Sequence, residues 1–465
     1  MASHVRPMST PCALHAGRAH DGLTHRRRAI NDTGGDCNTG KISERGPSLR
    51  ILGIGARVDL GDMYLHLLAE GHEVRVHAND PSYAGAFTGI LNPVPDWRAE
   101  LDWVGRDGIV LFEKVGLGAT QDALRAEGYR VVGGSALGDR LEYDRGFGQT
   151  VLQEAGLPLA RVESFAGPVE AAAWLRAHPG AYVLKHDNNA RATFVGDHPA
   201  GLDVLHQLGR TPPGRVLLME KLEGVEVGVG AYFDGRHFLT PACIDFEYKR
   251  FFPGEIGEMT GEMGTLLSYE GGHALFRAAL LPLEPRLAAA GHVGYVNVNL
   301  IANEQGLWPL EFTCRFGNPG YAVLAPLQTD GWGSLLAQMA TGGADTFRTQ
   351  PGWCVGICLT IPSFPAETPG ADPADDPPIF FLSPPDPAHT HYADMRAEGA
   401  QLLARRRTGY VMCVTGVAPD VPGAQAAALA RARQVVIPGL RYRADIGDRF
   451  LAGQGERLRR LGWLP

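Results

Sequence analysis

Val296-Asn-Val-Asn-Leu-Ile301, followed by Gly306-Leu-Trp-Pro-Leu-Glu-Phe-Thr-Cys-Arg-Phe-Gly-Asn-Pro319, is a pair of apolar-alternating runs about a short turn. That is the pattern of a β-hairpin. In such a hairpin Asn299 faces Glu311, and the two-residue period of a strand puts Glu311, Thr313 and Arg315 on one side. Oxygen donors on Asn299, Glu311 and Thr313 with Arg315 beside them suit magnesium holding a nucleoside triphosphate, because a hard cation takes carboxylate and phosphate oxygens. A structural ion pair between Glu311 and Arg315 explains the same residues, and the hairpin alone leans toward that plainer alternative.

Bulk properties narrow the class. A chain of 465 residues exceeds one core and suggests about three domains. With 45% hydrophobic and 20% charged residues and 60 glycines, it reads as a soluble, turn-rich α/β protein. A net charge of −8 argues against a general nucleic-acid or membrane-surface binder, which needs a dominant positive field. The seven cysteines are scattered and odd in number, giving neither a disulfide framework nor a zinc spacing. Cys354 and Cys358 read as core thiols on a strand, which fits a reducing cytoplasm. No run reaches the ~20 apolar residues of a membrane-spanning helix. Residues 1–48 lack the apolar stretch of a signal peptide and read as a disordered or non-native extension.

Order begins at Leu49-Arg-Ile-Leu-Gly-Ile-Gly55, an apolar strand entering glycines, with a helix pattern from Gly61 to Glu70 and a second strand at Gly71–His77. Gly108–Phe112 and Tyr129–Gly133 continue the alternation, so residues 49–140 read as a small doubly wound parallel sheet. Gly53-x-Gly55 lacks the third glycine of a dinucleotide fingerprint, so no NAD site is expected. A helix is expected over Leu141–Ala155, then strands at Ala160–Phe165, Ala181–His186, Val216–Leu222 and Glu226–Phe233, with a helix at Pro168–His178. Residues 362–387 show no periodicity and read as a surface excursion. Gly409–Gly416 reads as a buried strand and Pro422–Val435 as an alanine-rich helix.

In this order the pieces resemble the ATP-grasp superfamily, and within it the phosphoribosylamine–glycine ligase (glycinamide ribonucleotide synthetase) family, over about residues 50–460. Glu311-Phe-Thr-Cys-Arg-Phe-Gly-Asn-Pro-Gly320 resembles the family's Glu-Phe-Asn-Cys-Arg-Phe-Gly-Asp-Pro-Glu. Tyr410-Val-Met-Cys-Val-Thr415 and Arg443-Ala-Asp-Ile-Gly447 resemble its closing elements. The resemblance implies an ATP-grasp fold with an N-terminal doubly wound parallel-sheet domain (49–140), an ATP-grasp domain (141–345) and a C-terminal α+β domain (346–465).

It also implies roles. Metal ligands would be Asn299, Glu311 and Thr313, the last replacing an asparagine. Arg315 and Lys185 would be catalytic. Arg145, within Leu141-Glu-Tyr-Asp-Arg-Gly-Phe147, would stand where a lysine meets phosphate, and Lys185 would reach the α-phosphate. Glu220, Lys221 and Leu222 would read adenine along the backbone, with Glu226 on the ribose hydroxyls. Substrate would be held by Lys249, Arg250, Asn318 and the loop Gly257-Glu-Met-Thr-Gly-Glu-Met-Gly264, through Thr260, Gly261, Met263 and Gly264. That loop is similar to the family's Gly-Pro-Asn-Thr-Gly-Gly-Met-Gly. His186-Asp-Asn-Asn-Ala-Arg-Ala192 stands where the family carries a glycine-rich flap.

The implied protein is a cytoplasmic ATP-dependent C–N ligase of de novo purine biosynthesis, a monomer or homodimer using ATP and Mg2+ or Mn2+ on small-molecule substrates. Two alternatives remain: the same ligation with a different amine or carboxylate, and a nucleotide-binding protein that has lost turnover.

Overall fold

Four parallel strands form the first layer: Glu73–Ala78, Arg50–Gly55, Ile109–Phe112 and Arg130–Val132, in that spatial order. Their runs are apolar on both sides because both faces are covered. Ile51, Ile109, Leu111 and Val132 join the main core, while Leu52, Ile54, Val110, Phe112 and Val131 pack in a second core with Trp97 and Leu124. The computed structural model describes residues 48–80, 83, 85–91, 93–186, 193–368 and 370–465. The N-terminal extension up to residue 47 and the flap segment 187–192 lie outside them.

Gly53 and Gly55 have a packing role rather than a phosphate-binding one. A Cβ on Gly53 would lie 2.2 Å from the Tyr64 hydroxyl, and one on Gly55 would lie 2.1 Å from Glu113 Oε2. The missing side chains make room for a buried pair in which Tyr64 donates to Glu113 Oε1 at 2.6 Å.

The stretch expected as one helix over 141–155 is two, Ala136–Tyr143 and Arg145–Glu154. Asp144 divides them, its carboxylate accepting from the Phe147 amide at 3.0 Å. An aspartate cap satisfies an otherwise orphaned amide at a helix start, so it terminates one helix while opening the next. Arg145 thereby becomes the first residue of a helix facing the hairpin.

Strands Val162–Phe165, Val216–Glu220, Tyr182–His186 and Phe194–Val195 make a separate antiparallel sheet. With helices Pro168–Ala177 and Leu202–Arg210 it encloses its own apolar cluster, including Phe165, Leu175, Leu184, Val204 and Leu218. This is the small lobe.

The largest sheet has eight strands, ordered Gly306–Thr313, Val293–Asn303, Val225–Asp234, Phe238–Glu247, Gly264–Ser268, Trp353–Thr360, Tyr410–Ala418 and Thr390–Tyr392. It runs without a break across residue 345. Helix Val421–Ala432 packs close against it: a Cβ on Gly416 would lie 2.3 Å from the Ala424 carbonyl oxygen. The excursion over 362–387, which shows no periodicity in sequence, is partly regular. Pro378–Phe381 is a strand paired with Gln401–Ala404 and Val435–Val436. A four-residue strand that opens on a proline is too short to display a period.

Cys243, Cys314, Cys354, Cys358 and Cys413 are free and buried. Among the described residues no helix is long and apolar enough to cross a membrane.

Candidate active site

The hairpin has the register its alternation predicts: Asn299 pairs with Glu311 and Asn297 with Thr313. Two rows therefore cross the sheet. One runs Asp245, Gly228, Asn299, Glu311; the other Cys243, Gly230, Asn297, Thr313. The glycines in mid-row are spatial necessities, since a Cβ on Gly228 would fall 2.2 Å from Asp245 Oδ1 and one on Gly230 1.9 Å from the Tyr295 hydroxyl. Above that gap Asn297 donates to Asp245 at 2.7 Å and Asn299 donates to Glu247 at 3.1 Å.

Lys249 stands at the centre of the acidic residues, 3.0 Å from Glu247, 3.2 Å from Glu226 and 3.5 Å from Glu311. Burial opposes its charge, but these carboxylates outweigh it and hold the ammonium well above the ordinary lysine range. Arg145 lies 3.5 Å from the other oxygen of Glu311. Burial likewise opposes the charge of Glu311, and Lys249, Arg145 and Lys185 together keep its carboxyl below the usual range. Among the described residues Lys185 has no carboxylate partner at contact distance, and its ammonium rests 3.3 Å from the Met219 sulfur. Burial and then Arg145 push it down to about 8, which leaves a cation poised for an anion.

Two cavities meet at Lys249, Gly261 and Glu311. The larger, about 670 Å³, lies between the small lobe and the hairpin and is lined by Arg145, Lys185, Lys221, Leu222, Glu226 and Thr260 among others. The smaller, about 180 Å³, lies over the sheet beneath Asp245, Glu247, Glu262, Asn297, Thr313 and Arg315. It continues through Gly261, Glu262 and Asn318 into a third space of about 240 Å³ against the N-terminal sheet, bounded by Arg57, Asp59, Tyr83, Glu367 and Asp394.

The smaller chamber is rich in acceptors. Asp245 Oδ1, Glu262 Oε1, Asn297 Oδ1 and Thr265 Oγ1 are buried there without a hydrogen-bond partner. Burial, then Glu247, raises Asp245 to about 7, and burial with the same neighbour lifts Glu262 well above the carboxylate range. Orphaned buried acceptors are costly, so such a chamber suits a ligand that brings cationic or donor groups.

Arg315 reaches toward the N-terminal side, 3.4 Å from Glu142, which also accepts the Cys314 amide at 2.8 Å. Asp59 and Asn318 line the outer space together, and the Asp59 amide donates to Glu113 Oε2 at 3.0 Å. Burial, then the charge of Asp59, raises Glu113 to about 8.

Of the residues expected at a site, Arg145, Lys185, Lys221, Leu222, Glu226, Lys249, Thr260, Gly261, Asn299, Glu311, Thr313, Arg315 and Asn318 line these connected spaces. Glu220 ends its strand exposed beside them. Three others do not line them. Arg250 donates to the Gly257 carbonyl at 2.9 Å, holding the hairpin of Arg250–Phe252 and Ile256–Met259. Met263 is fully buried, and Gly264 starts a central strand where a Cβ would strike the Gly356 carbonyl at 2.4 Å.

Asp245, Glu247, Glu262, Asn297, Glu142 and Asp59 escaped the sequence reading. The alternation Asp245-Phe-Glu-Tyr-Lys249 carried a signal for the first two, while Glu142 and Asp59 needed long-range contacts to reveal them.

Comparison with known proteins bears on the family and the fold. Residues 143–321 match the family model described as the ATP-grasp (A) domain of phosphoribosylglycinamide synthetase. The chain is 30% identical over 348 residues to a phosphoribosylamine–glycine ligase of Leifsonia xyli, covering 70% of this chain and 81% of the relative. It is 28% identical over 393 residues to one of Streptomyces coelicolor, covering 82% and 89%. Among solved structures it is similar in fold to phosphoribosylamine–glycine ligase from Thermotoga maritima, with a TM-score of 0.65 at 19% identity over 86% of this chain and all of that one. Biotin carboxylase from Campylobacter jejuni shares the fold at a TM-score of 0.57 and 11% identity, over 88% and 96% of the two chains.

Proposed function

Because the chain belongs to the phosphoribosylamine–glycine ligase family of ATP-grasp proteins, we propose that it joins a carboxylate to an amine at the expense of ATP, as in the glycine ligation of de novo purine biosynthesis. The observation that carries this reading is the meeting of Lys249 and Arg145 on Glu311, where a large cationic cleft opens into a small acceptor-rich chamber.

The nucleotide occupies the larger cleft. Leu222 and the backbone of Glu220 and Lys221 border the adenine, Glu226 takes the ribose hydroxyls, and Lys185 with Arg145 binds phosphate oxygens. Glu311, Asn299 and Glu247 form an oxygen-donor set that fits Mg2+ or Mn2+, with Thr313 on the adjoining row. When bound, such an ion neutralises phosphate charge and polarises the phosphoryl group. Lys249 balances the surrounding carboxylates, so that the phosphates are not repelled as they enter.

The reaction has two stages. A carboxylate oxygen attacks the γ-phosphorus and ADP departs, leaving an acylphosphate; the amine nitrogen then attacks the acyl carbon and phosphate departs. Arg315, Lys185 and Arg145 stabilise the charge of transfer. The nitrogen loses a proton in the second stage, and we assign its acceptance to Asp245, whose Oδ1 is buried in the chamber with no hydrogen-bond partner among the described residues. Asn318 and Gly261 border the path between the acyl group and the amine.

A second reading keeps this chemistry and changes the amine. Glu262 stands where the family's substrate loop has glycine, and one of its oxygens is buried and unpartnered in the chamber. Among the described residues Arg57 is the one cation bordering the outer space, and it lies 3.2 Å from Glu367. A phosphorylated amine meets few cations there, whereas an unphosphorylated ammonium compound meets several carboxylates. ADP release measured with ATP, Mg2+, glycine and either phosphoribosylamine or a panel of unphosphorylated amines separates the readings. Turnover with phosphoribosylamine supports the first and turnover confined to other amines the second. Absence of ADP with every pair, while ATP still raises the melting temperature, overturns both.

A further inference from the structure

Outside the catalytic spaces, helix Gly61–Ala69 and strand Thr390–Tyr392 meet through three side chains that no step above uses. Asp62 and His66 are four residues apart and so share one helix face. Asp62 Oδ2 lies 2.8 Å from His391 Nδ1 and 3.3 Å from His66 Nε2, and all three ligand atoms lie within 4.8 Å of one another. The imidazoles are nearly parallel, at 17° with centroids 6.0 Å apart. We propose that Asp62, His66 and His391 bind a divalent cation of the zinc class, linking the N-terminal sheet domain to the edge of the eight-stranded sheet.

Two imidazole nitrogens and one carboxylate oxygen are a donor set zinc accepts, with water as a fourth ligand. Ligand atoms of a tetrahedral zinc stand about 3.4 Å apart, so only small shifts separate the present arrangement from coordination. Asp62 and His391 are almost wholly buried, whereas His66 is partly exposed, which leaves an approach for the ion and its water.

The second ring nitrogen of His391 favours ligation over a plain hydrogen-bonded triad. A metal-bound histidine is oriented by the bond its other nitrogen makes, usually to a carbonyl or another oxygen. His391 Nε2 lies 3.2 Å from Thr415 Oγ1, and the same hydroxyl lies 3.0 Å from His389 Nδ1. When Thr415 accepts from His391 Nε2 and donates to His389, the lone pair of His391 Nδ1 points at the site. Asp62 is steadied as well, its Oδ1 accepting the Tyr392 amide at 3.2 Å.

The test is cobalt(II) titration of chelator-treated full-length protein, followed by its visible absorption, with elemental zinc analysis and thermal melting alongside. One equivalent giving the intense visible bands of tetrahedral cobalt, together with a zinc-dependent rise in melting temperature, is expected. His66→Gln and His391→Gln should each abolish the band and weaken zinc binding by about two orders of magnitude. Both retain a side chain able to hydrogen-bond Asp62, and the part-exposed position of His66 keeps that variant informative should His391→Gln not fold. The N-terminal segment contains His4, His15, His20, His25, Cys12 and Cys37. Stoichiometric binding unchanged in both variants would assign the ion there or to the catalytic carboxylates and overturn the proposal. So would the absence of a cobalt band in the unaltered protein.

Discussion

On one side of Lys249 the cleft presents Arg145, Lys185 and Lys221; on the other the chamber presents Asp245, Glu262 and, farther out, Asp59 and Asp394. The two sides share a sheet and three lining residues, yet their charges oppose. The cationic side is where we propose the triphosphate, while the acidic side differs from the resembled motifs at Glu262, Asn318 and Gly320. Different strands and loops supply the two sides, so a change on one need not alter the other.

The sharpest way to break this division is at its boundary. Glu311→Gln removes the carboxylate on which Lys249 and Arg145 converge, and turnover should fall by about a thousandfold or more with circular dichroism unchanged. Turnover within a fewfold of the original would dissolve the assignment of Glu311.

Lys185→Met tests the cationic side alone. Loss of one phosphate-directed charge should reduce kcat/KM for ATP by about a hundredfold, leaving the affinity for the amine substrate near its original value. Protonation gives a second readout on the same residue. Lys185 is a cation below about 8 and neutral above it, so ATP binding should weaken as pH rises through 8, and Lys185→Arg should remove that break. The nucleotide-free protein should respond in the opposite sense. A lysine whose folded value is depressed from 10.5 to about 8 binds fewer protons folded than unfolded in that interval, so its contribution to stability improves as pH rises from 8 to 10.5.

Glu262→Gly restores the family's residue on the acidic side. Selectivity, as the ratio of kcat/KM for phosphorylated over unphosphorylated amines, should move by about tenfold toward the phosphorylated compound while KM for ATP stays constant. Movement in the ATP parameter instead would mean that the two sides are not separable.

The smallest effect is expected behind the acidic side, where Glu113 holds the Asp59 amide. Gly55→Ala forces a methyl group against Glu113 Oε2 and should cost about 1–3 kcal/mol in urea unfolding. An unchanged midpoint would show that the Tyr64–Glu113 pair shifts freely.

Much of the cationic side was legible in the sequence because its determinants are local. A two-residue period put Asn299 opposite Glu311, and a lysine ending an apolar strand marked Lys185. The acidic side was less legible because it is assembled across strands. Asp245 becomes a neighbour of Asn297 only because Gly228 and Gly230 leave the intervening strand bare, a relation no window of sequence contains. Of the residues expected to hold substrate, Thr260 and Gly261 line the cavities, whereas Arg250, Met263 and Gly264 do not. There a turn, a core contact and a sheet pairing claim the residues first. The short strand Pro378–Phe381 escaped notice because its partners lie more than twenty residues away.

The small lobe encloses an apolar cluster of its own, and the chain enters it near residue 156 and leaves it near residue 224. In engineering terms it is a cassette. Exchanging it for the equivalent segment of a relative would replace Lys185, Lys221 and the rest of the nucleotide roof in one operation, without disturbing the eight-stranded sheet or the carboxylates it displays. Chimeras of that kind would let nucleotide preference and substrate preference be inherited from different parents.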